Sequence, residues 1–318
     1  MKYYVGIDLG GTNIVAGVVD ENYNIKAKYS EPTNASRGFK EVCASIANAA
    51  YEAAKKANID MKDVESVGVG SPGCVNRNTN LLVFSNNLGW ENVPFQDELE
   101  KHFDVPVFID NDANCAALGE VLAGAARNYE NACMVTLGTG VGGGIIIDKK
   151  IFSGSDRLGA EIGHTILLYG GEVCSCGLEG CFEAYASATA LIRQIKQAIK
   201  QHPESLLNTL CDGNLDKVEA KTAFDAMDKG DEIAAKVIDQ YLSYVAAGVG
   251  SMMTLFRPEV VIVGGGVSNA GDKLLKPLSK KTDGMTFTRN QAENPPIVLA
   301  ELGNDAGIIG AAMLGREV

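Results

Sequence analysis

The feature that most constrains the fold of this chain is an internal repeat. The segment 4–25, YVGIDLGGTNIVAGVVDENYNI, aligns without a gap at its matched positions with the segment 133–152, CMVTLGTGVGGGIIIDKKIF. Each copy reads as a strand, a glycine turn with a threonine, a second strand and a polar turn. Two such hairpins in one chain predict two related α/β halves that face one another. The matched pairs are Leu9 with Leu137, Gly10 with Gly138, Val18 with Ile146, Val19 with Ile147 and Asp20 with Asp148.

The rest of the chain alternates between strand and helix patterns. Apolar residues recur at helical spacing from 36 to 57, and short apolar runs bounded by turn residues predict buried strands. This alternation favours α/β architecture. The predicted strands are 64–70, 105–112 and 260–266, and the predicted helices are 36–57, 113 to about 126, 183–200, 231–256 and about 305 to 314.

Composition and charge limit the class of protein. The chain has 318 residues, enough for two domains or one large α/β unit. Its formal net charge of -12 disfavours a broad nucleic-acid surface, because phosphate backbones repel it. The first residues match no signal peptide and no stretch has the length of a membrane span. We therefore expect a cytosolic protein with reduced thiols and neither nucleic-acid nor membrane partners.

The first glycine turn, DLGGTN at 8–13, is a candidate phosphate site. Glycines let the backbone approach a phosphate closely, and Thr12 and Asn13 add side-chain donors. Asp8, at the end of a strand, can hold Mg²⁺ directly or through water. The alternative is a tight hairpin that needs glycine for positive φ. LGTGVGGG at 137–144 has the same ambiguity, but two copies at equivalent places favour a shared ligand.

A third glycine run, VGGGVS at 263–268, follows a strongly apolar strand. Many strand-to-helix turns contain glycine, so the run alone is a weak signal. It can also admit the base and ribose of a nucleotide against bare backbone. The G-x-G-x-x-G spacing of dinucleotide folds is absent, which disfavours NAD.

The segment IDNDAN at 109–114 places two carboxylates at a strand end. Either Asp110 or Asp112 can serve as the general base for a hydroxyl group. The alternative is a helix N-cap, for which Asp and Asn are strongly preferred. The residues alone favour the cap.

The densest cysteine cluster is CSCGLEGC at 174–181. A disulfide is disfavoured by a reducing compartment and, for Cys174 with Cys176, by their closeness in sequence. Gly177 and Gly180 allow the loop to fold back so that its sulfurs converge. One histidine and three cysteines form a set that tetrahedral structural zinc prefers, with no position left for catalysis. Reduced structural thiols or redox chemistry are the alternatives. The predicted ligands are His164, Cys174, Cys176 and Cys181.

Taken together, these motifs resemble the sugar kinases of the ROK family (repressors, open reading frames, kinases), and within it most closely the bacterial glucokinases. The resemblance covers essentially the whole chain, and the order and spacing of the motifs match. The motifs that carry it are DLGGTN, GSPG at 70–73, NNLGW at 86–90, NDAN at 111–114, LGTGVGGG, GAEIGH at 159–164, CSCGLEGC followed by Glu183, and VGGGVS.

The resemblance implies the actin-like ATPase (ribonuclease H-like) fold, an α/β fold with two lobes and a central cleft. We expect a smaller N-terminal lobe of residues 1–116 plus 302–318. The larger C-terminal lobe, 117–301, would carry the zinc loop.

The resemblance also implies the roles of individual residues. Asp112 matches the catalytic base of the family, and this match overrides the interpretation of Asp112 as a helix cap. The resemblance also implies that Asp8 lies near Mg²⁺, and we expect it to bind the ion through water. His164 is expected to face the metal with one ring nitrogen and the sugar with the other. The implied sugar contacts are Asn87, Asn111, Asp112, Glu161, His164 and Glu183. The implied ATP contacts are Asp8, Gly10, Gly11, Thr12, Asn13, Gly138, Thr139 and Gly140 for the phosphates, and Gly264, Gly265 and Gly266 for the adenosine.

The implied activity is ATP-dependent phosphorylation of the 6-hydroxyl of a hexose, first of all glucose. The alternatives are kinases for N-acetylglucosamine, N-acetylmannosamine, mannose or fructose, and a non-catalytic sugar-responsive regulator. Repressors of the family carry a helix-turn-helix domain before the DLGGT motif, which begins at residue 8 of this chain. We therefore expect an enzyme, and family resemblance suggests a homodimer or homotetramer.

Overall fold

The computed structural model describes residues 1–76, 78–289 and 291–316, which form thirteen strands and ten α-helices. The strands are β1 Tyr3–Leu9, β2 Asn13–Asp20, β3 Ile25–Pro32, β4 Val64–Ser71, β5 Cys74–Val75, β6 Leu82–Ser85, β7 Trp90–Val93, β8 Val107–Asn111, β9 Ala132–Leu137, β10 Val141–Ile147, β11 Lys150–Ile151, β12 Val260–Gly264 and β13 Ile297–Leu299. The helices are α1 Phe39–Lys56, α2 Phe95–Glu100, α3 Asp112–Leu122, α4 Glu183–Ala186, α5 Ala188–Gln201, α6 Leu206–Leu210, α7 Lys221–Asp228, α8 Glu232–Phe256, α9 Asp272–Asp283 and α10 Asp305–Ala312.

Two five-stranded sheets have the same strand order. The first sheet has the order β3-β2-β1-β4-β8, and the second has the order β11-β10-β9-β12-β13. In each sheet the first three strands lie side by side in reverse chain order, and two later strands follow them. In the first sheet, β1, β2 and β3 pair antiparallel, and β1, β4 and β8 pair parallel. The structure therefore confirms that the sequence repeat marks two related α/β halves.

The first sheet forms around fully buried side chains. Val5, Ile7 and Leu9 of β1 and Ile14 of β2 are completely inaccessible to solvent, which explains the nearly continuous apolar runs in the sequence. Helix α1 covers this sheet with the alanine-rich face that its helical spacing predicts. A smaller sheet, β5-β6-β7, holds the turn that contains Asn87 between β6 and β7.

Two predicted helices differ most from the structure. Helix α3 ends at Leu122, short of the expected residue 126, because the buried carboxylate of Glu120 accepts the N–H of Ala125 at 2.8 Å and turns the chain. The single helix expected over 183–200 is two helices. Ser187 lies between them in an extended conformation and caps α5 by accepting the N–H of Ala190 at 3.0 Å.

The last helix, α10, packs on β1, β4 and α3. The contact is backbone to backbone: a Cβ at Gly6 would lie 1.9 Å from the Ile308 carbonyl oxygen. The buried carboxylate of Glu120 also accepts the N–H groups of Glu301 and Leu302, just before this helix. These contacts attach the C-terminal segment to the first sheet.

The chain divides into two compact units. The first contains Met1–Ala132, Gly144–Ala160 and Glu301–Val318, and the second contains Cys133–Gly143 and Glu161–Ala300. The lobe bounds expected from the resemblance stay a prediction. Among the described residues, no helix combines the length and the apolar character needed to cross a membrane.

Candidate active site

In the first unit, strand register brings the predicted carboxylates to one sheet edge. Asp8 of β1 pairs with Gly70 of β4, and Gly70 pairs with Asp110 of β8. Asp112 follows β8 and begins α3. Because β1, β4 and β8 run parallel, their carboxyl ends lie at the same edge, where open α/β sheets commonly bind ligands.

The electrostatics of this edge are those of crowded carboxylates. Burial raises the pKa of Asp8 to about 6, and the negative charge of Asp112 contributes to that rise. Burial also raises the pKa of Asp110, although hydrogen bonds from the Asn114 side chain and the Asn111 N–H, each 2.8 Å long, oppose the shift. Buried carboxylates with raised pKa values are typical of catalytic and cation-binding sites.

Asn111 is the N-cap of α3. Its Oδ1 accepts the N–H groups of Ala113 at 2.8 Å and Asn114 at 3.2 Å, which confirms the capping role for this residue. Its Nδ2 donates to the Gly73 carbonyl at 3.2 Å and keeps a second N–H. The cap fixes where α3 begins and therefore where the Asp112 carboxylate is presented.

The first glycine turn is closed by its own backbone and by Thr33. The Gly10 N–H donates to the Asn13 carbonyl at 2.8 Å, and the Thr33 hydroxyl donates to the Gly10 carbonyl at 2.6 Å. Sequence reasoning missed Thr33, because nothing in its neighbourhood indicates a contact with residue 10.

The alternative interpretation of these turns, as tight hairpins that need glycine for positive φ, is wrong. Gly10, Gly11, Gly138 and Gly140 all have φ outside the left-handed region, so backbone conformation does not demand glycine there. A Cβ at Gly11 would meet Asn87 only at an ordinary 3.5 Å, and one at Gly138 would have 4.0 Å to its nearest neighbour. Local packing therefore does not demand glycine at these two positions either, and a bare backbone there fits the approach of a ligand.

The second glycine turn is also closed by its own backbone and by a threonine from outside the turn, although the bonds join different positions. The Gly138 N–H donates to the Gly140 carbonyl at 3.0 Å, and the Thr189 hydroxyl donates to the Thr139 carbonyl at 2.8 Å. Thr189 lies in the first turn of α5. Its hydroxyl binds a carbonyl of the second glycine turn, just as the Thr33 hydroxyl binds a carbonyl of the first glycine turn. Sequence reasoning missed Thr189 as well.

The third turn places Gly264 at the end of β12. Gly265 has φ of 82° and a Cβ there would lie 2.6 Å from the backbone of Leu137, so this position requires glycine for the fold itself. Gly266 has open space around its Cα. Only Gly266 therefore offers the bare backbone expected against an adenosine.

Glu161 and His164 are brought beside the second glycine turn by a tight backbone contact. The residues 162–164 form a 3₁₀ turn that Glu161 precedes. A Cβ at Gly163 would lie 2.0 Å from the carbonyl oxygen of Val141, the first residue of β10. Glycine at 163 is thus required for this packing.

The predicted metal ligands converge in the second unit. The ligand atoms of His164 and the three cysteines all lie within 4.8 Å of one another. The sulfurs of Cys176 and Cys181 are 3.7 Å apart, and Cys174 Sγ is 3.7 Å from His164 Nδ1. Tetrahedral zinc with Zn–S bonds of about 2.3 Å has ligand–ligand edges of about 3.8 Å. The donor set and its spacing fit zinc.

The loop reverses as its glycines predict. Gly180 has φ of 84°, and a Cβ there would lie 1.8 Å from the Leu168 carbonyl oxygen. The Cys174 N–H donates to the Leu178 carbonyl at 2.8 Å and closes the turn between the first two cysteines and the third.

Glu183 begins α4, and its carboxylate is bound at both oxygens. Oε2 accepts the N–H of Val141 at 2.9 Å, and Oε1 accepts the hydroxyl of Ser175 at 2.8 Å. A Cβ at Gly140 would lie 2.3 Å from Oε2. Sequence reasoning placed Glu183 near a sugar but missed Val141 and Ser175.

The expected site residues therefore fall into two sets, one in each unit. The first unit holds Asp8, Gly10, Gly11, Thr12, Asn13, Asn87, Asn111 and Asp112. The second unit holds Gly138, Thr139, Gly140, Glu161, His164, Cys174, Cys176, Cys181, Glu183, Gly264, Gly265 and Gly266.

The chain is similar over its whole length to proteins of known type. Residues 4–318 match the model of the ROK family. A glucokinase of Halalkalibacterium halodurans is 37% identical over 99% of this chain and 96% of its own length. A glucokinase of Thermotoga maritima is 38% identical over 98% of this chain and 97% of its own length.

A solved structure agrees with these relatives. The crystal structure of a ROK family glucokinase from Streptomyces griseus, in complex with glucose and AMPPNP, superimposes with a TM-score of 0.83. It is 36% identical, and the match covers 99% of both chains. The fold is thus that of the actin-like ATPases, and the chain belongs to the ROK family.

Proposed function

We propose that this protein is an ATP-dependent hexose kinase that transfers the γ-phosphoryl group of ATP to the 6-hydroxyl of glucose. The observation that carries the proposal is the full-length similarity to bacterial glucokinases, one of them solved with glucose and an ATP analogue. The carboxylates with raised pKa values at the sheet edge and the open space beside Gly266 support the same activity.

Asp112 is the proposed general base. Its carboxylate accepts the proton of the sugar 6-hydroxyl as that oxygen attacks the γ-phosphorus of ATP in line. The bond from O6 to phosphorus forms, the bond from phosphorus to the β,γ-bridging oxygen breaks, and ADP leaves. Asn111 supports this role because its cap fixes the start of α3.

The two glycine turns are the proposed phosphate cradles. Thr33 and Thr189 hold the turn carbonyls, so the turns are shaped before the nucleotide arrives. Asp8 would hold Mg²⁺ through water, and the crowded carboxylates beside it fit a divalent cation. When bound, Mg²⁺ neutralises charge on the phosphates.

The sugar pocket is proposed to use Asn87, Asn111, Asp112, Glu161, His164 and Glu183. His164 presents Nδ1 to the cysteines, which leaves Nε2 for a sugar hydroxyl. His164, Cys174, Cys176 and Cys181 would hold zinc, which when bound supplies structural order and no chemistry. The expected homo-oligomer and cytosolic location stay predictions.

The variant Asp112→Asn tests this assignment. Asparagine keeps the shape of the side chain but cannot take the proton, so we expect glucose binding within about threefold of wild type and a fall in kcat of about 10² to 10⁴. Binding is measured by calorimetry and turnover by ADP release. Asp104→Asn, an exposed carboxylate of the same unit, is the control. Undiminished turnover in Asp112→Asn would rule out Asp112 as the base.

A further inference from the structure

One carboxylate links the cysteine loop to the second glycine turn. Glu183 Oε2 lies 2.9 Å from the Val141 nitrogen, at the end of the turn 138–140, and Oε1 lies 2.8 Å from the Ser175 hydroxyl. The three segments that meet at this carboxylate all belong to the second unit.

Ser175 is placed by its neighbours in the chain. It stands between Cys174 and Cys176, whose sulfurs belong to the proposed zinc set, while its own hydroxyl points to Glu183. The position of the hydroxyl therefore follows the position of the two cysteines. Ser175 itself is exposed and contributes no packing to a core.

We propose that Ser175 is a positioning residue that couples the cysteine loop to the nucleotide turn through Glu183. The inference rests on the proposed function, in which the turn 138–140 receives the phosphates of ATP. Two hydrogen bonds, from the Val141 N–H and from the Ser175 hydroxyl, hold the Glu183 carboxylate at both oxygens. The Val141 N–H then has an acceptor in a fixed position, and this bond holds the end of the turn 138–140 in place.

Without the Ser175 hydroxyl, Oε1 keeps only the 3.5 Å contact with Cys174 Sγ, a sulfur that would bind zinc in the loaded protein. The carboxylate can then rotate away from Val141. The turn then loses part of its preorganisation for phosphate, which weakens ATP binding more than metal binding. Ser175→Thr keeps the hydroxyl and preserves the link. Ser251→Ala removes a hydroxyl that donates to the Ala247 carbonyl of its own helix, and it serves as the matched control.

The experiment compares these variants in zinc content, in the KM for ATP and for glucose, and in the amide resonance of Val141 in the ligand-free, zinc-loaded protein. For Ser175→Ala we expect one zinc per chain, a KM for ATP raised about fivefold to thirtyfold, and an upfield shift of the Val141 amide proton. The KM for glucose should rise as well, because Glu183 also belongs to the proposed sugar pocket. Ser175→Thr should stay within about twofold of wild type.

An unmoved Val141 resonance or an unchanged KM for ATP in Ser175→Ala would overturn the proposal, as would equal effects in Ser251→Ala. An exposed serine tolerates substitution, and Ser175→Gly gives a second variant without the hydroxyl. If the wild type phosphorylates no sugar, the proposed function fails, while the Val141 resonance still decides whether Ser175 fixes the turn.

Discussion

At the scale of single residues, Asp8 shows how a site is built at a cost in stability. Asp8 is half-buried, its carboxylate lies beside Gly307 of α10, and the negative charge of Asp112 acts on it. Ionising such a group in the folded protein is unfavourable, and this explains why its pKa rises to about 6. Residues that lower the stability of the folded protein in this way are typically retained for function.

The variant Asp8→Asn should therefore be more stable than wild type at neutral pH. The folded pKa of Asp8 lies above its unfolded value of 3.8, so the protonated form stabilises the fold below about pH 4. That contribution is lost as the pH rises through about 6. We expect the variant to gain up to about 3 kcal/mol in unfolding free energy at pH 7 and only about 0.5 kcal/mol at pH 4.

The measurement is urea unfolding of both proteins from pH 4 to pH 8 in buffer without divalent cations. Asp104→Asn serves as the control for the loss of one exposed carboxylate. A stability difference that is independent of pH, or that favours the wild type at pH 7, would contradict burial beside Asp112 as the origin of the raised pKa of Asp8.

The sequence predicts some of these residues and not others, for a physical reason. Asp8 and the cysteines are residue types that are unusual at their positions in the sequence. Composition and spacing therefore identify them as candidate site residues. Thr33, Thr189 and Ser175 are common polar residues whose roles come from contacts with distant parts of the chain. Only the folded structure brings those partners together.

At the scale of elements, the cysteine loop would contribute one wall of the sugar pocket proposed above. His164, Cys174, Cys176 and Cys181 would fix the loop when zinc is bound, and Glu183 lies two residues after Cys181 at the start of α4. Residues 175–179 are all exposed, so little packing holds this part of the loop. Its order therefore depends strongly on the proposed metal.

Removal of zinc should consequently impair sugar binding. We expect that Cys181→Ala, which deletes a buried ligand, loses zinc and raises the KM for glucose by about tenfold or more, or unfolds the second unit. Zinc content, thermal unfolding and the KM for glucose are measured together. Cys211→Ala, a buried cysteine outside the cluster, is the control. Metal-free protein with unchanged stability and KM would contradict this role.

Element boundaries were predictable where periodicity decides them. The apolar spacing of α1 and α8 gives those helices nearly their full length. The break at Ser187 and the early end of α3 were not predictable, because a side-chain cap and the buried carboxylate of Glu120 determine them.

At the scale of the whole chain, the repeat is the strongest sequence signal. The two copies of the hairpin account for the first strands of each five-stranded sheet, and both sheets share the strand order third, second, first, fourth, fifth. The short strands β5 to β7 have no counterpart in the repeat, and the turn between β6 and β7 carries Asn87. Sequence patterns miss such strands because two to four residues show no clear periodicity.

The central claim is that the protein moves the γ-phosphoryl group of ATP to the 6-hydroxyl of glucose. The most direct test is phosphorus NMR of the products from ATP, Mg²⁺ and glucose, with kcat/KM compared for N-acetylglucosamine, N-acetylmannosamine, mannose and fructose. We predict glucose 6-phosphate in equal amount to ADP, and the highest kcat/KM for glucose. ADP with inorganic phosphate alone, or no ADP with any of these sugars, would contradict the claim.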